Sequence, residues 1–127
     1  SWYETNYGGY FYQPTYLENV TKEMPAFKEE IFGPVINIDK FSDDEEGLNM
    51  ASHPTYGLAA CIHTSNLNKA INMSKKIESG MVWINHWGYP DDFTHPAGGY
   101  NNSGIGKDMG RVGIDEWYRE KSIWIPH

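Results

Sequence analysis

From residue 33 to residue 86 the sequence alternates between two periods, and that alternation limits the folds open to it. FGPVINIDKF gathers the β-formers Val35, Ile36 and Ile38 and reads as a strand. A helix is predicted next. Ser42 is its N-cap, Glu45 completes a capping box, and Asp43, Asp44, Glu45 and Glu46 sit where the helix dipole favours negative charge. The helix stops before His53-Pro54, because the residue before a proline avoids the α region. YGLAACIHT, short and almost continuously apolar, suits a strand buried on both faces. Thr64 or Ser65 caps a second helix with Leu67, Ala70, Ile71, Ser74 and Ile77 on one face. Lys75 and Lys76 fall in its last turns, and Gly80 stands where a left-handed C-cap belongs. GMVWINHW is a further strand. Strand, helix, strand, helix, strand predicts an α/β fold: a mostly parallel sheet with flanking helices.

In such sheets ligands bind beyond the carboxyl ends of the strands. After Trp83-Ile84-Asn85 the chain runs into HWGYPDDFTHPAGGYNNSGIGKDMG, long and rich in Gly, Pro and Asn. A loop of this length inside a compact domain is usually functional or contacts something else. A short helix, roughly 109–120, comes next, and KSIWIPH reads as a last strand with little sequence left to pair with. At the other end, residues 1–13 are crowded with aromatics, and GGYFYQPTYLENV reads as a turn and a strand that Pro14 either confines to an edge or interrupts.

Composition narrows the function. The 127 residues suit one domain, able to bury roughly two-thirds of its unfolded surface around a core. Net charge is −7 with no block of Lys or Arg, so nucleic acid and anionic membranes are poor partners. No run approaches the roughly 18 apolar residues of a membrane span. The opening residues lack a basic start and an apolar stretch, so no signal peptide is predicted, and the missing initiator Met points to a trimmed or partial product. Cys61 stands alone, which excludes an internal disulfide and makes a reducing cytoplasm the default. In that setting the glycosylation-type triplets at Asn19, Asn72 and Asn101 read as chance.

Most candidate chemistry fails on spacing. In NSGIGKDMG the third glycine of a dinucleotide fingerprint falls on Met109, and the Walker spacing is absent, so residues 102–110 read as a flexible loop opening a helix. His53, His63, His86, His95 and His127 pair neither with one another nor with Cys61 at a metal-ligand spacing, so no metal site is predicted. Cys61, among Ala59, Ala60 and Ile62, reads as a buried and inert thiol. No complete catalytic constellation is present.

AFKEEIFGPV is more informative. Alternation in an extended chain puts Glu30 and Phe32 on one face. A carboxylate with two acceptor oxygens can hold vicinal hydroxyls, as in a ribose, and a neighbouring ring offers a flat surface to a heterocycle. Gly33 lets backbone come close and Pro34 fixes the turn. The plainer alternative is a surface glutamate beside a core phenylalanine.

KEEIFGPV, YGLAA, GMVWIN and PAGGYNNSGIGKD, in that order, resemble the carboxyl-terminal segment of an NAD(P)-dependent aldehyde dehydrogenase, from about Gly8 to Pro126. The resemblance implies that Glu30 binds the nicotinamide ribose hydroxyls and that Phe32 packs near the nicotinamide of NAD or NADP. It implies that Asn85 and the loop 86–97 form a wall of the aldehyde tunnel. Terminal SIWIP would enter a neighbouring subunit's sheet and make a homo-oligomer, which would cover an otherwise unpaired edge. Residues 1–86 would then be part of the catalytic α/β domain, 87–108 the substrate-tunnel loop, and 109–127 a helix with the oligomerisation strand.

The same resemblance places the family's cysteine nucleophile and general-base glutamate upstream of this segment, and Cys61 does not replace them. No catalytic residue is therefore expected here, and as a separate polypeptide the chain is expected neither to oxidise aldehydes nor to bind NAD measurably. Many family members carry a bulky aromatic where Ala97 stands, implying a wider tunnel. Trp87, Tyr89, Asp91, Asp92 and Phe93 combine aromatics with acids, which suits a cationic aminoaldehyde. The alternatives are a solvated loop with packing aromatics and, for the whole chain, a free-standing interaction module that pairs its last strand with a partner sheet.

Overall fold

The computed structural model describes residues 9–88 and 93–127. The chain divides into two compact units, Ser1–Ser42 and Asp43–His127.

In the first unit, β1 (Thr15–Glu18) and β2 (Val35–Ile38) pair in parallel, with Thr15 opposite Val35 and Glu18 opposite Ile38. The connection between them contains α1 (Pro25–Lys28), one turn with its proline at the start, where a missing N–H costs nothing. Asn37 Nδ2 donates to the Ala26 carbonyl at 3.1 Å and ties β2 to this turn. β1 begins directly after Pro14, as expected of a residue that cannot donate to a ladder. FGPVINIDKF forms a strand only from Val35, so Glu30 and Phe32 precede it. Two strands are marginal alone, and this sheet leaves Tyr16, Ile36 and Ile38 exposed.

The second unit carries α2 (Asp44–Ala51), β3 (Tyr56–Gly57), β4 (Ala59–Ile62), α3 (Leu67–Lys76), β5 (Met81–Ile84), β6 (Tyr100–Asn101) and α4 (Gly110–Asp115). β4 and β5 pair in parallel from Ala59–Met81 to Ile62–Ile84, with α3 as the crossover between them. β3 and β6 pair antiparallel. YGLAACIHT is therefore two strands in two sheets, broken at Leu58, and of β4 only Ile62 is buried.

Both predicted helices form, each capped later than expected. Asp43 caps α2, its Oδ1 accepting from the N–H groups of Glu45 and Glu46 at 3.0 and 2.9 Å. Asn66 caps α3, accepting from Lys69 N–H at 3.1 Å, while Thr64 Oγ1 accepts from Asn66 N–H. Ser42-Asp43 and Thr64-Ser65-Asn66 are runs of competent caps of similar strength, so the cap can fall on any of them. Lys69 meets Asp44 at 2.8 Å and links the two helices; both side chains are more than two-fifths exposed, so the pair contributes under about 1 kcal/mol. Gly80 is not a left-handed C-cap, since α3 ends at Ile77 in extended backbone. α4 stops at Asp115 rather than near 120, and residues 118–127 form no strand.

The core is small, against the expectation from chain length. Among the described residues the buried hydrophobics are Ile62, Ala70 and Ala97, while Phe32, Trp117 and Trp124 are each about nine-tenths exposed. A self-sufficient domain of 127 residues buries far more. No helix among the described residues is long and apolar enough to cross a membrane.

The caps make a direct test. Asp43→Ala should lower stability by about 0.5–2 kcal/mol in urea unfolding followed by circular dichroism, and Asp43→Asn should recover most of it. An Ala variant indistinguishable from the parent would show that the cap is not formed in solution.

Candidate functional site

Glu30 and Phe32 lie on the irregular stretch that joins α1 to β2. Its start is fixed by Glu29 N–H donating to the Pro25 carbonyl at 2.9 Å, and its end by Val35 N–H donating to the Gly33 carbonyl at 2.8 Å. Phe32 has φ 50°, a left-handed value that costs a bulky residue on the order of 1–2 kcal/mol. Strand alternation therefore does not govern these positions. The stretch does present an exposed carboxylate and, two residues on, a phenyl ring 92% exposed. The ring is not a core residue.

In the second unit the exit from β5 is pinned to β4 residue by residue. Asn85 N–H donates to the Ile62 carbonyl at 2.9 Å, continuing the ladder past Ile84. Asn85 Oδ1 then accepts from Thr64 N–H at 2.8 Å, and its Nδ2 donates to the Thr64 carbonyl at 2.8 Å. Cys61 Sγ lies 2.8 Å from the His86 carbonyl, to which the thiol donates. Trp87 packs on Trp83, ring centroids 5.0 Å apart and planes at 53°.

Cys61 is thus half-buried and engaged, not sealed in an apolar interior. His63 Nε2 stands 3.2 Å from its sulfur, a pairing that sequence reasoning missed. Alternation along a strand was the available signal, since residues 61 and 63 share a face. No group of three or more His, Cys, Asp or Glu side chains that could hold a metal occurs among the described residues.

The far end of the long loop is equally tied down. Ala97 is buried, and its N–H and carbonyl exchange hydrogen bonds of 2.7 Å with Asp108. Lys107 Nζ donates to the carbonyls of Gly98 and Gly99 at 2.9 and 3.2 Å and stands 5.3 Å from the centre of the Tyr100 ring. Ser103 Oγ accepts from Gly57 N–H at 2.9 Å, and Asn102 N–H donates to the Thr55 carbonyl. His53 Nδ1 accepts from the N–H groups of Thr55 and Tyr56 and shapes the turn into β3. Glycine is required where backbones meet: a Cβ on Gly80 would strike the Gly98 carbonyl, and one on Gly99 would strike Ser103. PAGGYNNSGIGKD is a packing motif, and residues 102–110 are a tethered segment rather than a flexible loop.

Beside it lies an open groove of 680 Å³, lined by Phe93, Met109, Ile114 and Trp117, with Asp108 and Arg111 supplying charge. Of the expected tunnel residues Phe93 lines this groove, Trp87 sits on Trp83, and Ala97 is buried in the Asp108 bridge. Tyr89, Asp91 and Asp92 lie outside the described residues. Glu30 and Phe32 belong to the other unit. Sequence reasoning also missed Lys107 and Thr64, whose parts depend on backbone atoms distant in sequence.

Residues 3–123 match the model of the aldehyde dehydrogenase family. The chain belongs to that family. It is 43% identical over 120 residues to a putative aldehyde dehydrogenase-like protein of Schizosaccharomyces pombe, covering 92% of this chain and 23% of that one. Among solved structures it superposes on an aldehyde dehydrogenase of Mycobacterium tuberculosis complexed with NAD+ with a TM-score of 0.83 and 37% identity, over 93% of this chain and 24% of that one. A betaine aldehyde dehydrogenase of Staphylococcus aureus in complex with NAD+ gives a TM-score of 0.78 and 36% identity, over 84% and 21%. The chain therefore spans about a quarter of the length of the relatives it matches.

The glycine contacts predict an asymmetry. Gly80→Ala should cost about 3 kcal/mol, the upper end for overpacking against atoms that cannot move. Gly33→Ala, whose added Cβ meets nothing closer than 3.9 Å, should stay within about 0.5 kcal/mol in the same urea titration. Equal effects would mean that the backbone of Gly80 does not lie against Gly98 in solution.

Proposed function

We propose that this chain is the carboxyl-terminal part of an enzyme that oxidises an aldehyde to a carboxylic acid with NAD+ or NADP+. The observation that carries the reading is its superposition, over nine-tenths of its length, on an NAD+-bound aldehyde dehydrogenase. In this reading the segment places the reactants and does not supply the nucleophile or the general base.

The residues present fit the cofactor's nicotinamide end. Glu30 offers an exposed carboxylate that accepts from the ribose hydroxyls, and Phe32 an exposed ring for the nicotinamide to pack near. The left-handed backbone at Phe32 supports this, because a strained, exposed aromatic is retained where it meets a ligand. The bound dinucleotide would supply the hydride acceptor. Glu30 contributes distance, since reacting atoms must be held near contact.

Asn85, Trp87, Asp91, Asp92, Phe93 and Ala97 are proposed as the aldehyde-tunnel wall, with residues 87–108 as the tunnel loop between a catalytic portion (1–86) and a terminal helix and strand (109–127). The exposed Trp87 and Phe93 rings and the resemblance to a betaine aldehyde dehydrogenase support an aldehyde with a cationic tail. Exposed Ile123, Trp124 and Ile125 support homo-oligomer formation by strand addition, the SIWIP segment pairing with a neighbouring subunit's sheet. The same exposure favours the second reading, a free-standing interaction module.

Two measurements on the complete enzyme test the first reading. Glu30→Gln should lower kcat/KM for the cofactor roughly ten- to a hundredfold, the value of about 1.5–3 kcal/mol for hydrogen bonds to a charged acceptor. A change under twofold would remove Glu30 from the cofactor site. Asp91→Asn with Asp92→Asn should lower kcat/KM for betaine aldehyde several-fold relative to hexanal, because each carboxylate lost removes about 1 kcal/mol or more of attraction for a cation within about 4 Å. An unchanged ratio would end the case for a cationic substrate.

A further inference from the structure

We infer that Asn85 is a positioning residue, whose side-chain amide, committed to the Thr64 backbone, turns the chain at the end of β5 and thereby seats Trp87 on Trp83. The inference deepens the tunnel reading of this loop and rests on it for its functional consequence.

The amide is already occupied. Oδ1 accepts from Thr64 N–H and Nδ2 donates to the Thr64 carbonyl, each at 2.8 Å, so both polar atoms are bound to one residue of the neighbouring segment. This is the two-bond exchange that opposed residues of antiparallel strands make, here made by a side chain. Half of the amide's hydrogen-bonding capacity is thus committed to the Thr64 backbone, which fixes the orientation of the side chain. Asn85 therefore acts on the proposed tunnel wall, of which it is part, chiefly through what it positions.

Backbone geometry shows what that is. Asn85 has φ 55°, left-handed backbone that asparagine tolerates better than other side chains. Were the chain extended, residues 83 and 87 would stand about 13 Å apart along the strand. Their ring centroids are 5.0 Å apart, so the chain must turn between them. The turn also brings the His86 carbonyl onto the Cys61 thiol at 2.8 Å. Three links to the 61–64 segment converge on the turn: the Asn85 N–H bond to Ile62, the amide exchange with Thr64, and the thiol at His86. The link that sets direction is the amide pair, because it alone ties a side chain of the turned residue.

The test separates the turn from the amide. Asn85→Gly keeps left-handed backbone without strain and removes only the side chain. In the complete enzyme, the tilted Trp83–Trp87 pair should give an exciton couplet in circular dichroism, read as the difference between the parent and Trp87→Phe. Asn85→Gly should reduce that couplet at least roughly threefold, and Asn85→Asp should reduce it less, keeping the Oδ1 acceptor but setting a carboxylate against the Thr64 carbonyl. Asn66→Ala, which deletes the α3 cap, should lower stability and leave the couplet in place. A couplet of full amplitude in Asn85→Gly, or none in the parent, overturns the inference. In the complete enzyme, Asn85→Gly and Trp87→Ala should each raise KM for the aldehyde roughly tenfold with a much smaller change in kcat, and the double variant should be no worse than either. A lost couplet with unchanged KM would uphold the positioning role and remove Trp87 from the aldehyde wall, so the two readings fail separately.

Discussion

The larger unit depends on a backbone-to-backbone approach. Gly80, at the start of β5, lies so close to Gly98 and Gly99 that no side chain fits between them. The approach brings the segment after the long loop back to the point where β5 begins, whereas the loop itself leaves from the point where β5 ends. The loop is therefore anchored at both ends of one strand. Lys107 secures one anchor through the Gly98 and Gly99 carbonyls, and Asn85 secures the other through Thr64. Each anchor is a side chain bonded to backbone, so it holds the loop without dictating the residues inside it.

That division explains what was legible in the sequence. The strand–helix alternation, the two helices and the family were readable because they depend on period and on motif order. The caps slipped because Ser42 and Asp43, or Thr64, Ser65 and Asn66, compete on nearly equal terms. YGLAACIHT concealed a change of sheet at Leu58, since an apolar run gives no sign of which partner each half will take. Gly80 looked like a helix cap because sequence separates it from Gly98 by a whole loop. The site was the least readable part. Glu30 and Phe32 were singled out by an alternation that Phe32's left-handed backbone does not obey.

The small core has its origin in the same arrangement. α3 buries Ala70 and β4 buries Ile62, yet α4 and the segment after it leave Trp117, Tyr118, Ile123, Trp124 and Ile125 exposed. Five large apolar side chains in water are a cost that three buried hydrophobics among the described residues do not offset on their own. In relatives about four times as long, further polypeptide is available to cover such surfaces. In the proposed homo-oligomer this exposed segment would be the surface that a neighbouring subunit covers.

Backbone strain points the same way. Among the described residues five non-glycines have positive φ, and three of them, Asn19, Asn85 and Asn101, are asparagines, which bear it at little cost. The other two are Phe32 and Met109. Met109, at φ 62° and ψ 171°, occupies a region otherwise reserved for glycine. A bulky residue holds such a conformation only where the surrounding structure over-determines it. Phe32 presents a ring to solvent two residues from an exposed carboxylate, and Met109 forms part of the groove wall with Phe93 and Trp117. The two costly backbone positions thus lie on an exposed stretch in one unit and at the groove in the other, while the Ala70 and Ile62 core is built from ordinary helix and strand.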